Sequence, residues 1–429
     1  MAFIIYTGPL MITSKKEDMQ KRLFLVAGYN TVSLGKGRKE FHPKMKRPGL
    51  AFYMTEAGKA TLQQIGGGEH VDESVVGNFM ASLFNKQAHL GAFMPAIDES
   101  LRYKPSIRVE GACASGGLAM VTGIKAVLAG TAEVVLVMGV EVQNSVNSIY
   151  GADYLSLAGW RDKRKEGHAY FFPGEFSDRA GEYSKTYGEA YTRQGMARWY
   201  ANCIENARLC PTAQEYENEN GELMETGLIP PNPKKFVDHL NVFDCSKISD
   251  GASSIAVVSK EGLQRIGIPL SEAIEIVGFG QAEEDITEEP GDPLVLSATQ
   301  LAVEKALKMA GISHQQLATV ETHDCFTIAG LLAVEAIGFT GKGEGAKFVA
   351  QGNTSRTGRI PFNTTGGLIG WGHPTGATGV HQCVTLWQQL TGKAGDAQIK
   401  IPEDKPYGLT VNMGGNDKTV VSIVVKKCI

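Results

Sequence analysis

Cys113 lies in Val109-Glu110-Gly111-Ala112-Cys113-Ala114-Ser115-Gly116-Gly117, directly ahead of an apolar run, Val121, Ile124, Val127 and Leu128, that recurs at helical spacing. This places a thiol at a helix N-terminus. Unpaired N–H groups and the positive end of the macrodipole there favour a thiolate, lower the thiol pKa and can hold an anionic intermediate. The competing reading of a lone cysteine among small residues is a buried spacer. Two further segments supply partners for a reactive thiol. They are Val320-Glu321-Thr322-His323-Asp324-Cys325-Phe326-Thr327 and Gly366-Gly367-Leu368-Ile369-Gly370-Trp371-Gly372-His373-Pro374-Thr375-Gly376-Ala377-Thr378-Gly379. A thiol nucleophile needs a base to take its proton, and making or breaking a carbon–carbon bond beside a carbonyl needs a second group for the carbon acid. Two histidines and a second cysteine meet both demands.

Short β-rich runs alternate with helical stretches along the chain, which predicts an α/β layered fold. Leu23 to Ala27 reads as a first strand, Met54 to Ile65 as an amphipathic helix, Ser74 to Phe79 as a strand, and Ala132 to Glu141 as a buried central strand. From Tyr150 to about Lys235 aromatic and charged residues dominate and prolines cluster at Pro230, Pro231 and Pro233, as in an inserted loop-and-helix region. Ser254 to Val258 returns to a strand pattern, and Ala273 to Phe279 opens a second series with a helix at Ser297 to Ala310. The domains expected are an extension over 1–22, an N-terminal half over 23–150 with a return segment at 236–265, an inserted domain over 151–235 and a C-terminal half over 266–429. Cys113-x-x-Gly116 and His373-x-x-Gly376 each open a helix, the second with Pro374 at its first position, and an apolar strand follows each, Val134 to Met138 and Leu409 to Met413. By pattern these are two similar units whose helix N-termini meet at one site.

With 43% hydrophobic and 21% charged residues, the 429-residue chain reads as an ordinary globular protein of two or three domains. A formal net charge of −4 provides no polycationic field, so nucleic acid is not an expected partner. Seven cysteines without a CxxC pair fit free thiols in a reducing compartment, and the lack of a second half-site beside His323 and Cys325 argues against a structural metal. No apolar run is expected to reach the roughly 18 residues of a membrane helix. The stretch Met1 to Leu10 lacks a basic leader; Lys15, Lys16, Lys21 and Arg22 would suit a presequence, but Glu17 and Asp18 interrupt them. Gly278-Phe279-Gly280 is too short to count as a dinucleotide fingerprint.

The three motifs, in this order, resemble the thiolase superfamily, and within it the sterol-carrier-protein-2-type and archaeal-type thiolases, which carry HDCF (here His323 to Phe326) where others have NEAF. The resemblance runs from about Leu23 to the C-terminus and implies a duplicated, five-layered αβαβα thiolase fold with an inserted loop domain. It also implies acyl transfer through an acyl-cysteine: Claisen condensation of acetyl-CoA with an acyl-CoA, or thiolytic cleavage of a 3-ketoacyl-CoA. Cys113 matches the acylated cysteine and His373 the histidine that activates it. Asn412, in Val411-Asn412-Met413-Gly414, stands where commoner thiolases have their second catalytic cysteine. An amide cannot shuttle a proton as a thiol does, so the resemblance passes that role to Cys325, and replacing Asn412 is expected to matter much less. His323 is then expected to hold the enolate oxygen, and the N–H groups of Gly414 and Cys113 to form the oxyanion hole. Coenzyme A thioesters are the implied substrates, with no permanently bound cofactor. Arg161, Lys163, Arg164 and Lys165 are candidates for the nucleotide, with a solvated charged loop as the alternative reading. A decarboxylating ketoacyl synthase-like enzyme and a non-catalytic scaffold subunit are the alternative functions. The expected assembly is a homodimer or homotetramer without membrane attachment, cytoplasmic, or mitochondrial or peroxisomal in a eukaryote.

Overall fold

A computed structural model describes residues 21–42, 45–163 and 170–428. Most of the expected extension, 1–20, lies outside these residues; Lys21 and Arg22 are anchored to Glu133 and Glu275 at the start of the first strand. Among the described residues nine strands form: β1 (Leu23–Asn30), β2 (Glu73–Gly77), β3 (Ser106–Val109), β4 (Val134–Val142), β5 (Asp250–Ser259), β6 (Ile274–Glu283), β7 (Leu317–Thr322), β8 (Tyr407–Gly414) and β9 (Thr419–Lys427). Their order is β3-β2-β4-β5-β1-β6-β9-β8-β7. Outward from the short β1–β6 junction, both halves follow one rule. β1–β5 and β5–β4 are antiparallel and β4–β2 parallel; likewise β6–β9 and β9–β8 are antiparallel and β8–β7 parallel. The two halves therefore repeat one topology.

The main helices are α1 (Leu50–Gln64), α2 (Ser115–Ala129), α3 (Phe171–Tyr187), α4 (Glu189–Ala207), α5 (Ser297–Ala310), α6 (Thr327–Ile337) and α7 (Thr378–Thr391). Strand alternation sorts them into layers. Val134, Leu136 and Met138 of β4 face α1, packing with Met54, Ala57 and Leu62. Val135 and Val137 face the other way, onto Met120, Ile124 and Val127 of α2 and Val380, Cys383 and Val384 of α7. The same central cluster takes Val421, Ile423 and Val425 of β9, so the two half-sheets enclose one helix pair. The outer face of the second half-sheet, Leu409, Val411, Met413 and Val420, packs against α5, α6 and α4. Helix, sheet, helix pair, sheet and helix make five layers. Each central side chain fully buried in this way contributes on the order of 1.5–3 kcal/mol.

Two expectations need correction. The stretch Ala112–Ala129 does reach 18 residues at a mean hydropathy of 1.5; it contains α2, and its apolar character serves the central layer between the two sheets. Pro374 does not begin α7. It caps a single 3-10 turn, Thr375–Ala377, and α7 starts at Thr378. The strands β3, β7 and β9 add pairing that the sequence pattern does not mark.

Candidate active site

Four glycines let the two central helices cross at their N-termini. A methyl group on Gly116 would come within 2.7 Å of Gly379 N and 2.9 Å of Gly376 O, and one on Gly117 within 2.9 Å of Asn412 Oδ1. A side chain on Gly379 would collide with Gly117 N and Asn412 Oδ1. The crossing holds the segment before α2, with Cys113, against the turn before α7, with His373. Their convergence at one place follows from the duplicated topology.

Cys113 follows Ala112, whose backbone is left-handed at φ 52°. The cysteine is half-buried, and desolvation followed by the nearby Glu141 carboxylate pushes the thiol up to about 12. The N–H groups of Cys113 itself and of Gly415 face the sulfur and pull the other way, with smaller effect. The expected thiolate-favouring helix terminus is therefore outweighed, because desolvation of an anion exceeds what exposed helix ends supply. Gly414, the expected second oxyanion donor, is the neighbour of Gly415 and lies against the Gly111 carbonyl and Ala114, where no side chain would fit.

His373 is buried, and its ring is oriented on one side only. The Thr378 hydroxyl lies 2.8 Å from Nδ1 and donates to the Pro374 carbonyl at 3.3 Å. With the hydroxyl proton turned to that carbonyl, the hydroxyl accepts from Nδ1–H, and in this tautomer Nε2 is the unprotonated nitrogen. Nε2 is buried and, among the described residues, has no hydrogen-bond partner. Burial lowers the imidazole pKa to about 3, so Cys113 and His373 rest as a neutral thiol and a neutral imidazole. Backbone contacts fix the loop: His373 N–H donates to Ser249 Oγ at 2.9 Å, and Gln143 Nε2 donates to the His373 carbonyl at 2.6 Å. Glu141, fully buried, accepts from Thr375 Oγ1 and Gly376 N–H and also from Asn78, Phe79 and Met80, which ties the turn to β4.

His323 stands across from His373, ring centroids 5.1 Å apart at 84°. The Cys113 thiol and a nitrogen from each histidine all lie within 4.8 Å of one another. Burial, then His373, keeps the His323 pKa well below its usual value. Its neighbour Asp324 accepts from Leu368 N–H at 2.7 Å, Trp199 Nε1 at 3.0 Å and the Cys203 thiol at 3.2 Å, pinning the HDCF turn to α4 and to the Gly366–Gly370 turn. Cys325 is buried, and desolvation followed by the closeness of Cys113 holds its thiol well above the ordinary range. Phe326 stacks on Phe176 of α3 at 4.6 Å. Asn412, expected to be a bystander, bonds to both central motifs: Oδ1 accepts from Gly117 N–H at 2.9 Å, and Nδ2 reaches the Cys113 carbonyl at 3.1 Å and His323 Nδ1 at 3.3 Å.

The structure thus brings together Cys113, His323, Cys325, His373 and the Gly414–Gly415 turn. Arg161 is exposed on a one-turn helix; Arg164, Lys165 and the side chain of Lys163 lie outside the described residues. Thr378, Glu141 and Asn412 are the contributors that sequence reasoning undervalued. Only the Thr378 spacing, one and a half helical turns after His373, could have suggested its partner.

Residues 44–218 match the family described as thiolase, N-terminal domain, and residues 280–427 the family described as thiolase C-terminal domain-like. The acetyl-CoA acetyltransferase of Methanothermobacter thermautotrophicus is 35% identical over 369 residues, covering 85% of this chain and 91% of its own. Sterol carrier protein 2 of Rattus norvegicus is 30% identical over 338 residues, which cover 74% of this chain but only 58% of that protein. Among solved structures, the Ltp2-ChsH2(DUF35) aldolase superposes with a TM-score of 0.75 at 21% identity, over 95% of this chain and 98% of its own. That likeness concerns the fold alone.

Proposed function

The chain belongs to the thiolase family, and from that membership we propose that it is an acetyl-CoA C-acyltransferase working through an acyl-Cys113 intermediate. Its substrates in this reading are coenzyme A thioesters and free coenzyme A, with no resident cofactor needed for the chemistry.

In cleavage of a 3-ketoacyl-CoA, His373 Nε2 takes the Cys113 proton as Sγ attacks the C3 carbonyl carbon. The N–H groups of Cys113 and Gly414 hold the oxyanion that forms. The C2–C3 bond then breaks, its electron pair passes into the enolate of acetyl-CoA beside His323, and Cys325 gives its thiol proton to C2. Coenzyme A loses its thiol proton to the Cys325 thiolate and attacks the acyl group, and Cys113 departs as a thiolate that recovers its proton from His373. Condensation runs the same steps in reverse. A resting neutral pair suits this cycle, because thiol and imidazole become ions only when the substrate carbonyl is present to accept the charge. Exchange of one thioester for another is nearly isoenergetic, which suits a cysteine nucleophile. A homodimer is compatible with the free edge at β3, where Ile107 is exposed. Of the four basic candidates for the nucleotide phosphates, Arg161 is the one whose side chain is described, and it is exposed.

The observation that carries the reading is the convergence of the Cys113 thiol with a ring nitrogen from each histidine, His373 Nε2 being buried and, among the described residues, without a hydrogen-bond partner. Intact-protein mass spectrometry after brief exposure to acetyl-CoA tests it. The expected result is one acetyl group, mapped to Cys113 by peptide analysis and absent from Cys113→Ala. An unmodified wild-type protein would favour a scaffold role instead.

A further inference from the structure

The place of Asn412 in the hydrogen-bond network has a chemical consequence for His323. An amide side chain seen in a structure can be turned either way, but here its partners leave no choice. The backbone N–H of Gly117 can only donate, so the atom 2.9 Å from it is the amide oxygen. The Cys113 carbonyl can only accept, so the atom 3.1 Å from it is the amide nitrogen. The second hydrogen of that nitrogen is directed to His323 Nδ1 at 3.3 Å. Nδ1 must therefore be the bare nitrogen of the ring, and a neutral imidazole then carries its proton on Nε2. Among the described residues, no protein group hydrogen-bonds His323 Nε2. That N–H is left for whatever enters beside Cys113.

We propose that Asn412 is a positioning residue that sets the tautomer of His323, making it an Nε2–H donor to the thioester oxygen that carries negative charge while the neighbouring carbon is without its proton. The proposal rests on the thiolase reading for the identity of that oxygen. The residue type follows from the three bonds required: one acceptor for Gly117 and two donors, for Cys113 and His323. Asparagine provides this set at the right length. Cysteine, serine and threonine have a single donor, and an ionised aspartate has none. With a thiol at this position the ring would lose its strong donor partner at Nδ1. The exchange of cysteine for asparagine is on this view more than the loss of a proton carrier.

The test is a long-range proton–nitrogen correlation spectrum of full-length protein labelled with nitrogen-15 histidine, with His323 assigned through His323→Gln. Wild type is expected to show a protonated Nε2 and a bare Nδ1 at His323. In Asn412→Asp the carboxylate still accepts from Gly117 but also accepts from Nδ1–H, so the pattern should reverse. Cleavage or condensation should fall about a hundredfold to a thousandfold, the usual effect of losing one oxyanion donor. A wild-type His323 protonated at Nδ1 overturns the proposal, with no variant needed. So does an Asn412→Asp enzyme that keeps the wild-type tautomer or condenses at the wild-type rate. Failure of wild-type Cys113 to accept acetyl from acetyl-CoA would instead overturn the thiolase reading, and the spectrum would still decide the tautomer.

Discussion

Replacing Thr378 by valine isolates the orientation of the base from its chemistry. The side chain is buried at the first residue of α7, and its hydroxyl is the group placed at His373 Nδ1. Valine fills nearly the same space but leaves Nδ1 without a partner and frees the ring to exchange tautomers. An unsatisfied buried donor costs about 1–3 kcal/mol. At 1.36 kcal/mol per factor of ten, the fraction of enzyme with a bare Nε2 facing Cys113, and with it the acylation rate, should fall roughly 5- to 150-fold. Rapid-quench mass spectrometry of acetyl-Cys113 formation in a single turnover measures this directly. Thr378→Ser keeps the hydroxyl and loses a methyl group, so it should acylate at close to the wild-type rate with slightly lower thermal stability. If the valine enzyme acylates as wild type while the serine enzyme is slow, the methyl group, and not the hydrogen bond, is what matters there, and the tautomer argument for His373 fails.

Alkylation of the free enzyme by iodoacetamide reports the resting charge of Cys113. With the thiol pushed up to about 12, the thiolate fraction grows with each unit of pH, so the rate should climb steadily from pH 7 to 10; a plateau across pH 5–8 would mean a thiolate–imidazolium pair. Cys325→Ala should still form acetyl-Cys113 but lose about a hundredfold to ten-thousandfold in ketoacyl-CoA formation, followed by absorbance, and normal condensation would remove Cys325 from proton transfer. Gly379→Ala drives a methyl group into Gly117 N and Asn412 Oδ1, and should cost roughly 1–3 kcal/mol by denaturant titration along with most of the activity. An alanine enzyme of full stability and activity would show that the helix crossing has room to spare.

What could be read beforehand depended on how local each signal was. The helix over Ser297–Ala310 is amphipathic along its whole length and has Gly311 at its end, so its bounds agree with the sequence reading. β3 has four residues, two of them polar, and β9 is apolar on both faces with no turn signal to separate it from a helix, so neither declared itself. Cys113 and His373 were legible because their types are rare in Gly-rich surroundings, and His323 and Cys325 because they stand together in the HDCF motif. The direction of the Cys113 shift was not, because the walls that desolvate it come from distant segments. Asn412 reads as an inert replacement until its partners are known, and these lie 295 and 89 residues away in the chain. Thr378 looks like any helix-start threonine until the turn above it folds back.

The bond between Gly117 N–H and Asn412 Oδ1 joins α2 of one topological repeat to β8 of the other. Neither repeat alone contains a nucleophile with its base: the thiol precedes α2 and the imidazole precedes α7. Turnover is thus a gauge of how the two repeats dock, more sensitive than any spectroscopic average over the chain. Under graded urea, catalytic capacity should vanish at or before the first optical transition, even if one repeat keeps its own secondary structure to higher concentration. Fragments cut between β5 and β6 and mixed together should regain acylation only in proportion to the re-formed heterodimer, which makes the active centre a natural split reporter of its own assembly.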